Sequence, residues 1–414
     1  MNPRFNPAFA TVTTLFFMWG FTTATMDPLV TTVRGVFSLT YAESMLTQFA
    51  FFLAYGVVSL PAALVLEKLG YATTVVLSLV AMLLGCLIMP MAAQVQSYAL
   101  MLCALFVIAA GITQLQVAAN PLAAMLGRPE GSHFRLTLSQ AFNSLGTVLA
   151  PIIGASIMLR GGVFAGAASA GARTATLANV STQFLIIAGL ILLLTLFIWT
   201  LRRLLAVPHE FDDASVSPFA AFRSRWALFG GLAIFLYVGA EVSIASLMIN
   251  FLHQPQVMAA PFDHAGRLLG IYYWGGAMVG RLIGSVVLIR VKAHRVLAFA
   301  AFAALALCLT VTVTGGPVAG IAALAVGFFN AIMFPTIFSL TLERSSAPVA
   351  ATSGLLCMAI VGGALLPLIA GFTADRLGLA FAFFVPAVSY CVIAGFALAG
   401  GTSCVSPPLP QPAP

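Results

Sequence analysis

The sequence predicts an all-α membrane protein with about twelve transmembrane helices, arranged in two pseudo-symmetric halves of six. Three observations support this prediction: the composition, the spacing of long apolar runs and a repeated pattern of prolines. Of the 414 residues, 61% are hydrophobic and only 7% are charged, whereas soluble domains carry roughly 25% charged residues. A soluble globular protein and a disordered chain are therefore excluded, because neither accommodates so much apolar surface.

The apolar runs set the number and position of the spans. They are long and continuous, as in 186–201 and 296–313, whereas a transmembrane β-barrel would show alternating segments of about ten residues. A spanning helix needs about 20 apolar residues, and one span with its loop takes roughly 34 residues here. The first run follows Arg4 but is too long for a signal-peptide core, so we interpret it as an uncleaved span. The predicted spans are 9–33, 43–66, 72–91, 97–126, 135–160, 181–203, 224–252, 265–290, 293–313, 316–342, 347–372 and 379–400.

The basic residues predict the orientation in the membrane. With both termini in the cytoplasm, most of the 18 lysines and arginines fall on the cytoplasmic side, which satisfies the positive-inside rule. They are dispersed among loops without interleaved aromatics, so nucleic-acid binding is not expected. The cytoplasmic set is Arg4, Lys68, Arg128, Arg135, Arg202, Arg203, Arg223, Arg225, Arg290, Lys292, Arg295 and Arg344. The outer set is Arg34, Arg160, Arg173, Arg267 and Arg376, and Arg281 lies within a span.

Repeated prolines indicate an internal duplication. Pro121 and Pro335 are 214 residues apart, and Pro151 and Pro367 are 216 apart, each pair in a similar local sequence. Two proline pairs with nearly the same separation in sequence predict two related halves. A twelve-span chain built of two such halves has the layout of major facilitator transporters, whose substrate site lies at the midplane between the halves.

Polar segments mark the boundaries of the two halves. We predict a first half at 1–203, a cytoplasmic linker at 204–223, a second half at 224–400 and a proline-rich disordered tail at 401–414. The stretch 160–180 is rich in Gly, Ala and Ser and is expected to be a flexible outer loop.

Two acidic residues lie well inside predicted spans, Asp27 and Glu241, out of 11 in the chain. An intramembrane carboxylate is costly and marks a functional site by default, although a buried ion pair or a helix cap is the structural alternative. Arg281 is the only intramembrane base, so it can neutralise one acid but not both. Pro28 disfavours helix at the preceding residue, which predicts a local break at Asp27.

Glu241 raises a question that the helical pattern leaves open. On an ideal helix Ser243, Ser246 and Asn250 form one polar stripe, and Glu241 points almost to the opposite side. Either the seventh helix is unwound near Gly239, or the two sets of side chains face different environments.

Two consecutive spans carry stripes of amides and hydroxyls. In the fourth span these include Gln116 and Asn120, and in the fifth they include Gln140 and Asn143. Uncharged polar side chains that face inward can hydrogen-bond sugar hydroxyls, and interhelical hydrogen bonding is the alternative. Both stripes together favour a cavity for a polar ligand.

Aromatic and basic residues add to this cavity. Trp19 and Trp274 lie mid-span, where they can stack on the apolar face of a pyranose. Arg281 lies between Gly280 and Gly284, and we interpret this cluster as a conformational latch on the cytoplasmic side, with close helix packing as the alternative.

Four segments of the sequence are distinctive: LQVAANP (115–121), RLTLSQAFNSLGT (135–147), YVGAEVSIASLMIN (237–250) and PTIFSL (335–340). They resemble a known family, the fucose–galactose–glucose:proton symporters of the major facilitator superfamily. The resemblance runs from FFMWGF (16–21) to the eleventh span. It implies a monomeric sugar transporter of the bacterial inner membrane, with sugar and the lipid bilayer as its partners.

The resemblance also assigns roles to residues. The aspartate that this family requires in its first span matches Asp27, and the family's fifth-span amides match Gln140 and Asn143. Gln116 and Glu241 stand where the fucose permease has an acid and a glutamine, respectively, and this combination resembles the glucose/galactose branch, which is also similar to N-acetylglucosamine permeases. Two further departures are Phe334 in place of that permease's tyrosine and Met26-Asp27 in place of the family's Asn-Asp pair.

We therefore predict a proton-coupled symporter that imports a neutral hexose similar to glucose or galactose by alternating access. The proton is the coupling ion, and neither a cofactor nor a metal is expected. Alternatives are sodium-coupled sugar uptake, an L-fucose or N-acetylglucosamine permease, and a drug/proton antiporter. The five scattered histidines and the absence of an HExxH motif argue against an enzyme. The candidate substrate-binding residues are Gln140, Asn143, Gln116, Asn120, Trp19, Asn250, Trp274, Phe334 and Asn330, with Asp27 and Glu241 for proton coupling and Arg281 as the latch.

Overall fold

A computed structural model describes residues 7–126, 132–166, 169–202 and 218–402, which form helices joined by short turns. In the first half the segments are Pro7–Ala24, Met26–Phe37, Tyr41–Ser44, Leu46–Gln94, Tyr98–Met125, Ser132–Met158, a 3-10 turn at Gly162–Ala165 and Ala170–Leu201. In the second half they are Pro218–Arg223, Arg225–His253, Phe262–Leu268, Leu269–Trp274, Gly275–Arg290, Ala293–Val313, Gly316–Asn330, Met333–Arg344, Val349–Met358, Ala359–Val361, Gly362–Leu377, Leu379–Ala382 and Phe384–Thr402.

The described helices are consistent with the predicted twelve spans. Ten helical stretches in the described residues are long and apolar enough to cross a membrane. One of them, Tyr41–Gln94, has 54 residues. At 1.5 Å per residue it would measure about 80 Å, well over twice the hydrocarbon thickness. It turns at Gly70, whose φ of 77° favours glycine, and therefore makes two spans. The first span, Pro7–Ala24 with Met26–Phe37, completes the set.

Several spans are interrupted rather than continuous. The first is divided at Thr25, two residues before the predicted position at Asp27, and Pro28 then lies in the first turn of the second segment. Proline is tolerated there because its missing N–H is one that the start of a helix leaves unpaired. The eighth span contains a π-helical segment, Leu269–Trp274, and the tenth is broken between Asn330 and Met333.

The sixth span differs from its prediction. It begins at Ala170 instead of 181, and residues 162–165 form a 3-10 turn, so the expectation of a flexible loop at 160–180 was wrong over most of its length. The Ser169 side chain accepts a hydrogen bond from the Ala172 N–H, and this cap begins a helix rich in alanine before the apolar run starts. Most of the predicted linker (204–217) and most of the tail (403–414) lie outside the described residues.

Glycines at equivalent places set the helix crossings of the two halves. A Cβ on Gly20 of the first span would lie 2.7 Å from the Asn143 amide nitrogen of the fifth. A Cβ on Gly239 of the seventh span would lie 2.8 Å from the Gly362 carbonyl oxygen of the eleventh. The first and fifth spans thus cross as the seventh and eleventh do, which agrees with the duplication that the prolines indicate.

Polar contacts join the two halves toward the end of the molecule where the first span finishes, here called the Phe37 side. Asn250 Nδ2 donates to Thr31 Oγ1 at 2.9 Å, and Gln48 Nε2 donates to Ser246 Oγ at 2.8 Å. At the extreme end, Asp375 accepts from the backbone N–H groups of Tyr41 and Ala42, both at 2.8 Å. The two halves are therefore held together on the Phe37 side.

Candidate functional site

Most of the predicted site residues lie mid-span between the two halves and keep part of their surface accessible. Partial exposure deep within a bundle is expected of side chains that line an internal cavity. The partly exposed residues are Trp19, Gln116, Asn120, Gln140, Asn143, Glu241, Trp274, Arg281 and Phe334. Three others, Asp27, Asn250 and Asn330, are buried.

Asp27 is bound by a residue of the opposite half. Trp274 Nε1 donates to Asp27 Oδ2 at 2.9 Å, across the interface between the first and eighth spans. The π-helical segment ends at Trp274, and such segments occur frequently at functional sites. Asp27 is only 4% exposed, so this carboxyl is held in the interface and does not face open solvent.

Glu241 belongs to a network of tyrosines in the second half. The Tyr237 hydroxyl lies 2.7 Å from Glu241 Oε1 and donates to it. The Tyr273 hydroxyl donates to the Glu241 backbone carbonyl at 3.2 Å. The Asn330 side chain belongs to the same network. Its Nδ2 donates to the Tyr273 hydroxyl at 3.1 Å, and its Oδ1 accepts from the Tyr390 hydroxyl at 2.7 Å. The Asn330 amide thus has structural partners on both sides.

The seventh span resolves the question about its polar stripe. Arg225–His253 is one continuous helix, so it is not unwound near Gly239. Ser246 and Asn250 contact the second and first spans, whereas Glu241 contacts Tyr237 on its own helix and Tyr273 on the eighth span. The two sets of side chains therefore face different environments.

The two fourth-span amides differ in their contacts. Gln116 Nε2 donates to the Tyr55 hydroxyl at 2.6 Å, and Trp19 also interacts with this hydroxyl. Asn120 lies one turn further along the fourth span. Its Oδ1 is buried and makes no hydrogen bond with any residue that the structure describes. A buried acceptor without a partner is costly, so this oxygen is suited to a ligand or a water molecule.

The two fifth-span amides differ in their surroundings. Asn143 Nδ2 donates to the Phe16 backbone carbonyl at 3.1 Å and so joins the first and fifth spans. The Gln140 side chain makes no hydrogen bond with the described residues, and it is partly exposed. Gln140 is therefore the freer of the two to bind a ligand.

Arg281 joins the halves at the same level. Its Nη1 donates to Ser144 Oγ of the fifth span at 2.8 Å, and its Nε donates to the Ala331 carbonyl at 3.3 Å. Ala331 lies in the break of the tenth span, where Pro335 has no N–H to offer the carbonyl four residues earlier. Among the described residues Arg281 forms no ion pair with Asp27 or Glu241 within 4.0 Å. It is still close enough to Glu241 to act on its charge.

Sequence reasoning missed four tyrosines of this region. Tyr55, Tyr237, Tyr273 and Tyr390 each donate or accept a hydrogen bond at a predicted site residue, and all are buried. Only Tyr237 had a signal in the sequence, because it lies four residues before an intramembrane glutamate and so shares its helix face. The other three meet the site only through the packing of separate helices.

Two helical halves around a polar interface, with carboxyl, amide and indole groups turned toward one another, define a multi-pass membrane transporter. Residues 9–356 match the family model of the Major Facilitator Superfamily. The chain belongs to this superfamily.

Three comparisons place the chain among sugar transporters of the superfamily. It is 42% identical to a glucose/galactose transporter of Brucella abortus biovar 1 (strain 9-941), over 96% of this chain and 94% of that protein. It is 32% identical to the L-fucose-proton symporter of Escherichia coli (strain K12), over 94% of this chain and 92% of that protein. A crystal structure of the transporter FucP in the outward conformation matches with a TM-score of 0.71 and 30% identity, covering 95% of this chain and 99% of that one.

Proposed function

We propose that this protein is a proton-coupled symporter that imports a neutral hexose, of the glucose or galactose type, by alternating access. The observation that carries the proposal is the pair of intramembrane carboxyls, Asp27 at the interface of the halves and Glu241 in the tyrosine network of the second half. Neither is ion-paired to Arg281 within the described residues. A carboxyl that has no fixed cation can gain and lose a proton during a transport cycle. The similarity to a glucose/galactose transporter and to a proton symporter supports the same conclusion.

The amides and indoles between the halves provide the sugar site in this proposal. Among the described residues, neither the Gln140 amide nor the Asn120 Oδ1 atom has a hydrogen-bond partner, so both are available to a sugar. Gln116 and Asn143 contribute in the bound state only if they exchange or share their present partners. Trp19 and Phe334 are partly buried aromatic residues on opposite halves, and in this proposal each stacks on an apolar face of the pyranose.

Proton coupling drives accumulation in this scheme without a cofactor or a metal. A charge that crosses a potential of 100 mV releases about 2.3 kcal/mol, which sustains roughly a 50-fold gradient of a neutral sugar. The cycle requires no chemical change in the sugar, so we assign no enzymatic activity.

The placement of the protein is part of the proposal. We propose a monomer in a bacterial inner membrane, and the basic loops favour an orientation with both termini in the cytoplasm. In that orientation the Phe37 side faces outward. The contacts of Thr31, Gln48 and Asp375 would then close the outer face of the transporter.

The test is uptake of labelled sugars by purified protein in sealed proteoliposomes. We expect accumulation of glucose or galactose when the outside is acidic, and loss of accumulation when a protonophore collapses the gradient. The same vesicles are tested with L-fucose and N-acetylglucosamine, because these sugars distinguish the branches of the family. Accumulation that requires sodium and survives the protonophore would contradict proton coupling and favour the sodium-driven alternative.

A further inference from the structure

The Tyr237 hydroxyl occupies a position between two acceptors. It lies 2.7 Å from Glu241 Oε1 and 3.0 Å from the backbone carbonyl oxygen of Asn330. A phenol has one proton to donate, so it cannot make a full hydrogen bond to both oxygens at once. Which acceptor receives the proton depends on whether Glu241 is ionised.

The second acceptor belongs to the break in the tenth span. Asn330 is the last residue of Gly316–Asn330, and the helix resumes only at Met333. The next carbonyl oxygen, that of Ala331, has no helical donor because residue 335 is a proline. It accepts a hydrogen bond from Arg281 instead. Side chains of the seventh and eighth spans therefore hold the carbonyls of this break.

We propose that Tyr237 is a positioning residue that transmits the protonation state of Glu241 to the break in the tenth span. The proposal rests on the proposed function, in which Glu241 gains and loses a proton. When Glu241 is ionised, Tyr237 donates to the carboxylate, because a hydrogen bond to an ionised acceptor is the stronger one. When Glu241 is protonated, its O–H donates to the Tyr237 oxygen, and the phenolic proton turns to the Asn330 carbonyl. No bond is broken in Tyr237, and only the hydroxyl proton rotates.

The surroundings support a rotation of the hydroxyl and not a movement of the ring. Tyr237 is 2% exposed, and its ring packs against Phe334, with the centroids 6.3 Å apart. The Asn330 side chain is fixed by Tyr273 and Tyr390, so its backbone carbonyl is held in place. The charged and titratable groups that act on Glu241 or its partners are Tyr237, Tyr273, Tyr390, Arg281, Asp27 and Cys308.

The test is hydrogen–deuterium exchange of the backbone amides of residues 331–334 and 336, measured at acidic and at alkaline pH and corrected for intrinsic rates. In the wild type we expect the protection of this segment to differ between the two pH values. Tyr237→Phe keeps the ring but removes the hydroxyl, and should abolish the difference. Tyr55→Phe is the matched control: it removes a buried hydroxyl that bonds Gln116 in the first half and has no contact with Glu241 or Asn330 among the described hydrogen bonds, and the difference should remain.

A second variant keeps the test decisive if Tyr237→Phe does not fold. Glu241→Gln can donate permanently to the Tyr237 oxygen, so it should show the acidic pattern at both pH values. A Tyr237→Phe protein that retains the wild-type difference overturns the proposal, as does a Glu241→Gln protein with the alkaline pattern. These readouts need no sugar. Failure of sugar uptake with a normal exchange difference would therefore count against the transport function and leave the role of Tyr237 standing.

Discussion

Gln140 and Asn143 lie about one turn apart in the fifth span, yet among the described residues only the Asn143 side chain has a hydrogen-bond partner. We therefore expect Gln140→Ala to weaken sugar binding and leave the thermal stability unchanged. A lost hydrogen bond to a buried ligand costs about 1–3 kcal/mol, which is roughly five- to hundred-fold in affinity. Calorimetry with the purified variant measures the effect, and wild-type affinity would remove Gln140 from the site. Asn143→Ala is the comparison variant, and it should also lower the melting temperature because it loses the bond to Phe16.

Asp27 and Glu241 have different hydrogen-bond partners, and this difference predicts different phenotypes for variants of the two residues. Asp27→Asn keeps an acceptor for the Trp274 indole but cannot bind and release a proton. We expect it to abolish uphill uptake and to preserve sugar exchange across the membrane. Glu241→Gln should reduce binding and uptake together, because its amide replaces an oxygen that accepts from Tyr237.

Counterflow measured beside active uptake, on folded protein, distinguishes these outcomes. If Asp27→Asn accumulates sugar like the wild type, Asp27 is not the coupling site. If Glu241→Gln loses accumulation while it keeps binding and counterflow, the two roles are exchanged.

At the scale of helices, the crossing of the first and fifth spans depends on a glycine. A Cβ on Gly20 would lie 2.7 Å from the Asn143 side-chain nitrogen and even closer to the Asn143 backbone oxygen. Backbone cannot yield cheaply, so Gly20→Ala should destabilise the protein by about 1–3 kcal/mol. Gly189→Ala is the matched control, because a Cβ there meets nothing within 4 Å and lies in the middle of the sixth span. Thermal unfolding in detergent compares the two, and equal melting temperatures would contradict the assigned crossing.

At the scale of the whole molecule, Asp375 joins the halves at the end of the Phe37 side through two backbone N–H groups. The bond from Tyr41 is exposed to solvent and the bond from Ala42 is partly buried, so we assign them together about 1 kcal/mol, or roughly a fivefold change in the ratio of closed to open molecules. Asp375→Ala should shift this ratio toward molecules that are open on the Phe37 side.

Spin labels at Ala99 and Val318, both exposed near the Phe37 side, report the distance between the halves. The labels require a background in which the six native cysteines are replaced. Glu67→Ala is the control, because it removes an exposed carboxylate that bonds to no described residue. An unchanged distance distribution in Asp375→Ala would show that this contact does not bias the conformation.

The sequence by itself determined the fold and most of the helix bounds. Bilayer thickness fixes the length of an apolar run, and the ninth span was predicted at 293–313 and found at Ala293–Val313. The start of the sixth span was missed, because a polar but alanine-rich segment extends that helix beyond the apolar run. Pro28 predicted the break in the first span to within two residues, since a proline acts locally on its own helix.

Only the tertiary structure decided which side chains meet. The bond from Trp274 to Asp27 and the bond from Tyr390 to Asn330 join residues that are 247 and 60 positions apart. Periodicity gives the face of a helix on which a residue lies, but it does not say which other helix that face contacts. The same limit left the environment of Glu241 open until the packing of the seventh span was known. Intramembrane charge can thus be recognised from one segment, whereas the partners that give it a role come from helices that are distant in the chain.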